Sequence, residues 1–167
     1  MKSLLVCISN FGPHGINYLR RTVSALRDLP WNTEIIIDSN VSIDIPGCSV
    51  RLFPSDGFNL SFRYRALMKD CLNDYDLFFY GENDILVTGE AMLAVFSAQE
   101  RLPLHYVSGF IRFEERQDKK FLLDLHPPYL VHNINLFKVC ESEWFCLPNL
   151  HSGQFLLDKH RLDYVIA

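Results

Sequence analysis

Residues 3–9, SLLVCIS, form an unbroken apolar run that closes on Ser9, Asn10, Gly12, Pro13 and Gly15. A run with no polar face is the habit of a strand covered on both sides, as in a parallel sheet. The period then changes. Ile16, Leu19, Val23 and Leu26 recur at helical spacing, Arg20, Arg21 and Arg27 take other faces, and Pro30 stops the helix. Short strands are expected at 33–38 (TEIIID) and 49–53 (SVRLF), the latter closed by Pro54. A second amphipathic helix follows, with Leu60, Tyr64, Leu67 and Cys71 in its stripe and Arg63, Arg65 and Lys69 off it. A fourth strand, DLFFY (76–80), leads into the polar stretch GEND. Thr88 then reads as the N-cap, and Glu90 as the first-turn acid, of a helix carrying Met92, Leu93 and Phe96.

The order β-α-β-β-α-β-α implies an α/β protein, its mostly parallel central sheet covered by helices on both faces. The second half is less regular. LHYVSGFIRF (104–113), KFLLDL (120–125) and NINLFKV (133–139) read as strands. SGQFLLDKHRLDYVI (152–166) reads as a strand followed by a terminal helix, and RFEERQDKK (112–120) as a solvated hairpin turn. No repeat, low-complexity segment or linker interrupts the pattern, so one domain over 1–167 is expected.

Composition narrows the picture. The 167 residues suit a single core, and 49% hydrophobic against 22% charged favours a globular chain over disorder. A net charge of −4 and a pI near 5.8 argue against a nucleic-acid partner, whose footprint is a clustered basic face. An anionic small molecule then needs local Lys or Arg, or a metal. No stretch approaches the roughly 20 apolar residues of a membrane span. The N-terminal apolar run, about six residues, falls short of the ~7–15 of a signal core. A soluble, cytoplasmic chain without a transmembrane segment is expected. Five cysteines, an odd number without C-x-x-C spacing, suit reduced thiols, with Cys7 and Cys71 as small core residues.

In an open α/β sheet, ligands bind outside the carboxyl ends of the strands. Ser9, Asn10, Asp38, the Ser55–Asp56–Gly57 loop and Glu82–Asp84 all follow expected strands. If the chain stays extended, Glu82 and Asp84 share a side, about 7 Å apart at Cα, and Asn83 points away. Two unpaired carboxylates at a buried strand end repel each other and resist desolvation, a cost that Mn²⁺ or Mg²⁺ removes. The competing reading is a solvated turn, since Gly, Asn and Asp favour turns. Arg63 and Arg65 suit bidentate phosphate contacts or a solvated helix face, and Asp56 suits a helix cap or a nucleotide contact. His126 and His132 flank two prolines without ligand spacing. No P-loop, G-x-G-x-x-G or G-x-S-x-G motif occurs.

YDLFFYGENDILVT (75–88), following the fourth strand, resembles the nucleotide-sugar-binding half of a GT-A-type glycosyltransferase (nucleotide-diphospho-sugar transferase). There an Asp-x-Asp-like triplet holds Mn²⁺ or Mg²⁺ against the donor diphosphate. Glu82-Asn83-Asp84 departs from it at the first position. VCISNFG (6–12) resembles the first strand and loop flanking the nucleoside, and Asp38 the acid near base or ribose. The resemblance covers residues 3–100, so 1–100 stand as the nucleotide-sugar-binding half and 101–167 as a shortened acceptor and metal-side half of a Rossmann-like GT-A fold. It implies metal-dependent transfer from a UDP- or GDP-sugar to an unknown acceptor. Glu82, Asp84 and a late histidine, His151, are the implied metal ligands. Ser9, Asn10, Asp38 and Asp56 are placed on the nucleoside, and Arg63 and Arg65 on the phosphates. Glu114 and Glu115 are the candidate bases if the transfer inverts the anomeric centre, which needs a carboxylate at the acceptor hydroxyl. Two rivals stand beside this reading. A nucleotidyltransferase wants a basic residue in the first loop, which SNFGPHG lacks. A noncatalytic relative would bind a sugar or a protein partner. With little room for an acceptor half, a homo-oligomer completing the site is a further expectation.

Overall fold

The computed structural model describes residues 1–54, 57–122, 135–139, 142–146 and 153–166. The first half alternates as the pattern requires: β1 (Ser3–Asn10), α1 (Ile16–Arg27), β2 (Asn32–Ser39), β3 (Ser49–Leu52), a 3-10 turn (Gly57–Phe62), α2 (Tyr64–Asp70), β4 (Leu77–Glu82) and α3 (Gly89–Glu100). β9 (Phe155–Asp158) and α4 (Lys159–Ile166) complete the core. The sheet order is β3-β2-β1-β4-β9, parallel throughout except for β9, which runs antiparallel to β4.

The apolar runs of β1 and β4 serve two cores at once. Leu4, Val6 and Ile8 with Leu77 and Phe79 meet α1 and α3 through Leu19, Val23, Leu26, Met92 and Val95. Leu5, Cys7, Phe78 and Tyr80 face the other way, onto Met68 of α2 and Leu162 of α4. Alternation across a pleated strand thus explains why neither strand has a polar side. Thr88 caps α3, its hydroxyl accepting from Ala91 N–H at 3.2 Å. Among the described residues no helix is long and apolar enough to cross a membrane.

Two expectations needed correction. The stripe Leu60–Cys71 is not one helix: the chain makes a 3-10 turn, then a short α2 whose buried residue is Met68. Residues 104–112 are not a strand. Their period-2 burial is real, with Ser108 and Phe110 inward and Val107 and Ile111 exposed, yet no described strand pairs with them. Ser108 instead donates to the Val95 carbonyl at 2.9 Å, anchoring the segment on α3. The strand expected at 133–139 is present as β7 (Asn135–Val139), paired antiparallel with β8 (Ser142–Cys146), which the apolar pattern does not announce. The charged stretch at 112–120 does form a hairpin, β5 (Phe113–Arg116) with β6 (Lys119–Leu122), turning through Gln117 and Asp118 at positive φ.

Candidate functional site

The parallel register sets four side chains in one line across the carboxyl edge: Arg51 beside Asp38, Asp38 beside Ser9, and Ser9 beside Glu82. All four lie on the face shared with Cys7 and Tyr80, two residues earlier on their strands. The strand order places a topological switch between β1 and β4, since β2 and β3 lie to one side of β1 and β4 to the other. That crevice is where a doubly covered sheet takes its ligands.

The inner members of the line are used up by the protein. Asp38, 5% exposed, accepts a side-on fork from Arg51, with Nε at 2.6 Å and Nη2 at 2.7 Å. This bond raises the already high Arg51 pKa further. Ser9, 2% exposed, donates to the Leu60 carbonyl at 3.3 Å, which seats the 3-10 turn on the sheet, and its Oγ stands 3.3 Å from the Tyr80 hydroxyl oxygen. Burial, followed by the Asp38 charge, pushes the Cys7 thiol up to about 12, so it behaves as a small core residue. Cys7, Cys48 and Cys71 are free thiols.

Asn10 faces the opposite side and is wholly buried. Its amide donates to Ser39 Oγ at 2.8 Å and to the Gly12 carbonyl at 3.2 Å, and it accepts from Asn83 Nδ2 at 2.7 Å. Asn83 also accepts from Phe11 N–H at 3.2 Å. The two amides close the first loop over the end of β4. Gly15 permits this packing, because a Cβ there would stand 2.4 Å from Asn83 Nδ2. Ser9, Asn10 and Asp38 therefore build the floor of the crevice, with little surface to offer a nucleoside.

The rim is formed by other residues. β4 ends at Glu82, and Ile85 N–H bonds back to the Glu82 carbonyl at 3.2 Å, so 82–85 is a turn. The alternation argument therefore stops at Glu82 and does not place Asp84 on the same strand face. Asp84 is exposed on the turn, Glu82 is half-buried, and the buried member of the triplet is Asn83 at 3%. Tyr80 Oη donates to Glu82 Oε1 at 3.3 Å, and burial raises the Tyr80 pKa, keeping it protonated as a donor. Gly153, at φ +62°, packs against the other carboxylate oxygen; a Cβ there would lie 3.1 Å from Glu82 Oε2. Arg63 lies over the Phe53 ring at 3.6 Å, and Arg51 approaches that ring at 5.8 Å. Arg65 is exposed beside Phe62 and Tyr64.

The remaining expectations sit elsewhere. Glu114 and Glu115 lie on the solvated β5–β6 hairpin, Glu114 paired with Arg116 and Glu115 in register with Lys120. Asp56 and His151 lie outside the described residues, as do His126 and His132. Sequence reasoning missed Arg51, Tyr80, Asn83 as a latch, and Gly153. Arg51 and Tyr80 were legible in principle, since each shares a strand face with a residue already singled out.

The donor chemistry suits a hard cation: two carboxylates on one turn, one of them oriented by a hydroxyl. Among the described residues no group of three or more His, Cys, Asp or Glu is placed to hold a metal. A cation at Glu82 and Asp84 would therefore complete its shell with water and ligand oxygens. The chain matches no protein-family model and no curated protein.

Proposed function

We propose that the chain is a metal-dependent glycosyltransferase of the GT-A type, taking a UDP- or GDP-sugar at the crevice between β1 and β4. The observation that carries this reading is the position of Glu82, a half-buried carboxylate ending a central strand at the switch point, with a second carboxylate two residues on. Glu82 and Asp84 hold Mn²⁺ or Mg²⁺, which supplies a Lewis acid against the charge developing on the departing diphosphate. Tyr80 and Gly153 fix the Glu82 carboxylate. Arg63, with Arg65 further out, meets the phosphates. In the transfer the acceptor oxygen bonds to the anomeric carbon, the bond from that carbon to the diphosphate oxygen breaks, and the hydroxyl proton leaves to a base.

Isothermal calorimetry with UDP- and GDP-sugars, with and without Mn²⁺, tests the reading. Metal-dependent binding that weakens at least tenfold in Glu82→Ala is expected; no binding under any condition would sink it. One observation favours a second reading, noncatalytic nucleotide-sugar binding: the candidate bases Glu114 and Glu115 lie on a hairpin of their own, with Glu114 paired to Arg116. Slow metal-dependent hydrolysis of the donor separates an enzyme from such a binder.

A further inference from the structure

Between α2, β9, α4 and residues 107–109 lies a cavity of about 530 Å³, within the ~300–1,000 Å³ typical of small-molecule sites. The period of each element builds its walls. Tyr64 and Met68, four apart, share one side of α2, and Phe155 and Leu157 share one face of β9. Depth is graded along these walls. Met68, Leu157 and Leu162 are 0%, 5% and 4% exposed, whereas Val107 and Val165 are 42% and 63% exposed. The cavity therefore has a closed apolar floor and an open rim. Ser108, in the same lining, spends its hydroxyl on the Val95 carbonyl at 2.9 Å. Charge sets a second requirement. Arg65 is exposed on α2 at the rim, and among the described residues lining the cavity none is acidic. Arg65 contacts the Phe62 and Tyr64 rings, at 4.8 and 6.0 Å, and among the described residues no carboxylate pairs with it. The mouth is thus cationic in a chain whose net charge is −4.

We propose that this cavity binds a small amphipathic carboxylate, its apolar chain against Met68, Leu157 and Leu162 and its carboxylate on Arg65. The apolar floor supplies affinity by desolvation. The guanidinium supplies orientation, since it matches a carboxylate with two parallel N–H bonds. The site goes beyond the transferase reading and does not rest on it: its lining contains neither Glu82 nor Asp84.

Decanoate and its uncharged analogue decanol are the probes, titrated below the micelle concentration into the full chain and read by calorimetry. One saturable site is expected, holding decanoate at least threefold more tightly than decanol, as a single charge-assisted contact at an exposed rim implies. Arg65→Gln should abolish that preference and keep decanol affinity within twofold. Gly109→Trp obstructs the cavity itself: a Cβ at Gly109 meets nothing within 4 Å, so the new side chain enters open space. It should weaken both probes at least tenfold with circular dichroism and Tm unchanged. Val165→Trp, at the exposed rim, should act in the same direction and serves where Gly109→Trp disturbs the fold. Absence of decanoate binding, or equal affinity for decanoate and decanol, overturns the proposal. So does decanoate binding that neither tryptophan variant weakens, since the ligand would then lie elsewhere. A dimer in sedimentation that Val165→Trp dissociates also overturns it, because a second copy would then cover the cavity.

Discussion

Asn83 shows how far a side chain's role can depart from its place in a motif. It sits between two carboxylates, yet it is the residue the fold cannot spare. Its amide donates to the Asn10 side-chain oxygen in a buried contact and accepts from Phe11 N–H in a half-buried one. Asn83→Ala strands the Asn10 carbonyl oxygen and the Phe11 amide, each costing about 1–3 kcal/mol when buried without a partner. A loss of about 3 kcal/mol is therefore expected in urea unfolding; a loss below about 1 kcal/mol would show that the latch contributes little. Gly153 acts at the same scale. Its φ of +62° disfavours any other residue, and the nearest atoms to an added Cβ are Ile85 Cδ1 at 2.9 Å and Glu82 Oε2 at 3.1 Å. Both are mobile ends of side chains, so Gly153→Ala is expected to cost only about 1–2 kcal/mol in strain. Its larger effect falls on Glu82, whose carboxylate must shift by a few tenths of an ångström. Metal-dependent donor binding should weaken by more than the stability change implies, and calorimetry beside thermal unfolding separates the two.

Elements were legible where one physical cause set the pattern. β1 and β4 announce themselves because burial on both faces leaves almost no position for a polar residue before the carboxyl edge, and α3 because Thr88 caps it. Boundaries set by hydrogen bonding were not legible. Nothing in FFYGEND separates a strand ending at Glu82 from one running through Asp84; the Ile85-to-Glu82 bond decides it. Likewise, residues 106–112 alternate as a strand does but find no described ladder partner, which composition cannot reveal. The polar floor of the site was half-read. Ser9, Asn10 and Asp38 were located at the correct edge, but their partners lie 29 to 73 residues away or on a neighbouring strand, and those partners consume them. The β5–β6 hairpin is the reverse case, an element formed despite its turn residues. Gln117 at φ 52° and Asp118 at φ 60° occupy a turn that prefers Asn-Gly. Replacing them by Asn and Gly relieves about 1 kcal/mol per position. Amide exchange across Arg116 and Lys119 should slow at least fivefold; unchanged exchange would mean the cross-strand charges already hold the turn.

At the scale of the whole molecule, the carboxyl edge of the sheet holds the candidate carboxylates and the Asn10–Asn83 latch, while the fastenings of the C-terminal segment lie elsewhere. Arg161, 5% exposed, donates to the carbonyls of Gln99, Leu102 and Tyr106 at 2.8, 2.6 and 2.9 Å and pairs with Asp158, so it ties α4 to the end of α3. Arg161→Met leaves those carbonyls without their donor and the Asp158 carboxylate without its cation, its bond from the residue 161 N–H remaining. A loss of about 3–5 kcal/mol is expected in urea unfolding, as for a broken buried pair. At the amino edge Asp76 fastens the start of β1 to the approach to β4: its carboxylate accepts from Ser3 N–H at 2.7 Å and Ser3 Oγ at 3.0 Å, and its own carbonyl accepts from Lys159 N–H at 3.0 Å. The Ser3 backbone bond, then its hydroxyl bond, holds the Asp76 carboxyl below the ordinary value. A carboxyl with a depressed folded pKa stabilises the fold above its unfolded pKa, about 3.9, and loses that contribution as pH falls through the folded value. Asp76 is exposed and its charge is screened, so Asp76→Asn should cost less than about 1 kcal/mol at pH 7. That deficit should shrink as unfolding is repeated from pH ~4 downward, because the unfolded carboxyl protonates first and the native one follows at its lower value, where it resembles the amide. A deficit that stays constant with pH would assign the role of Asp76 to shape rather than charge. A rising deficit would reverse the sign argued here.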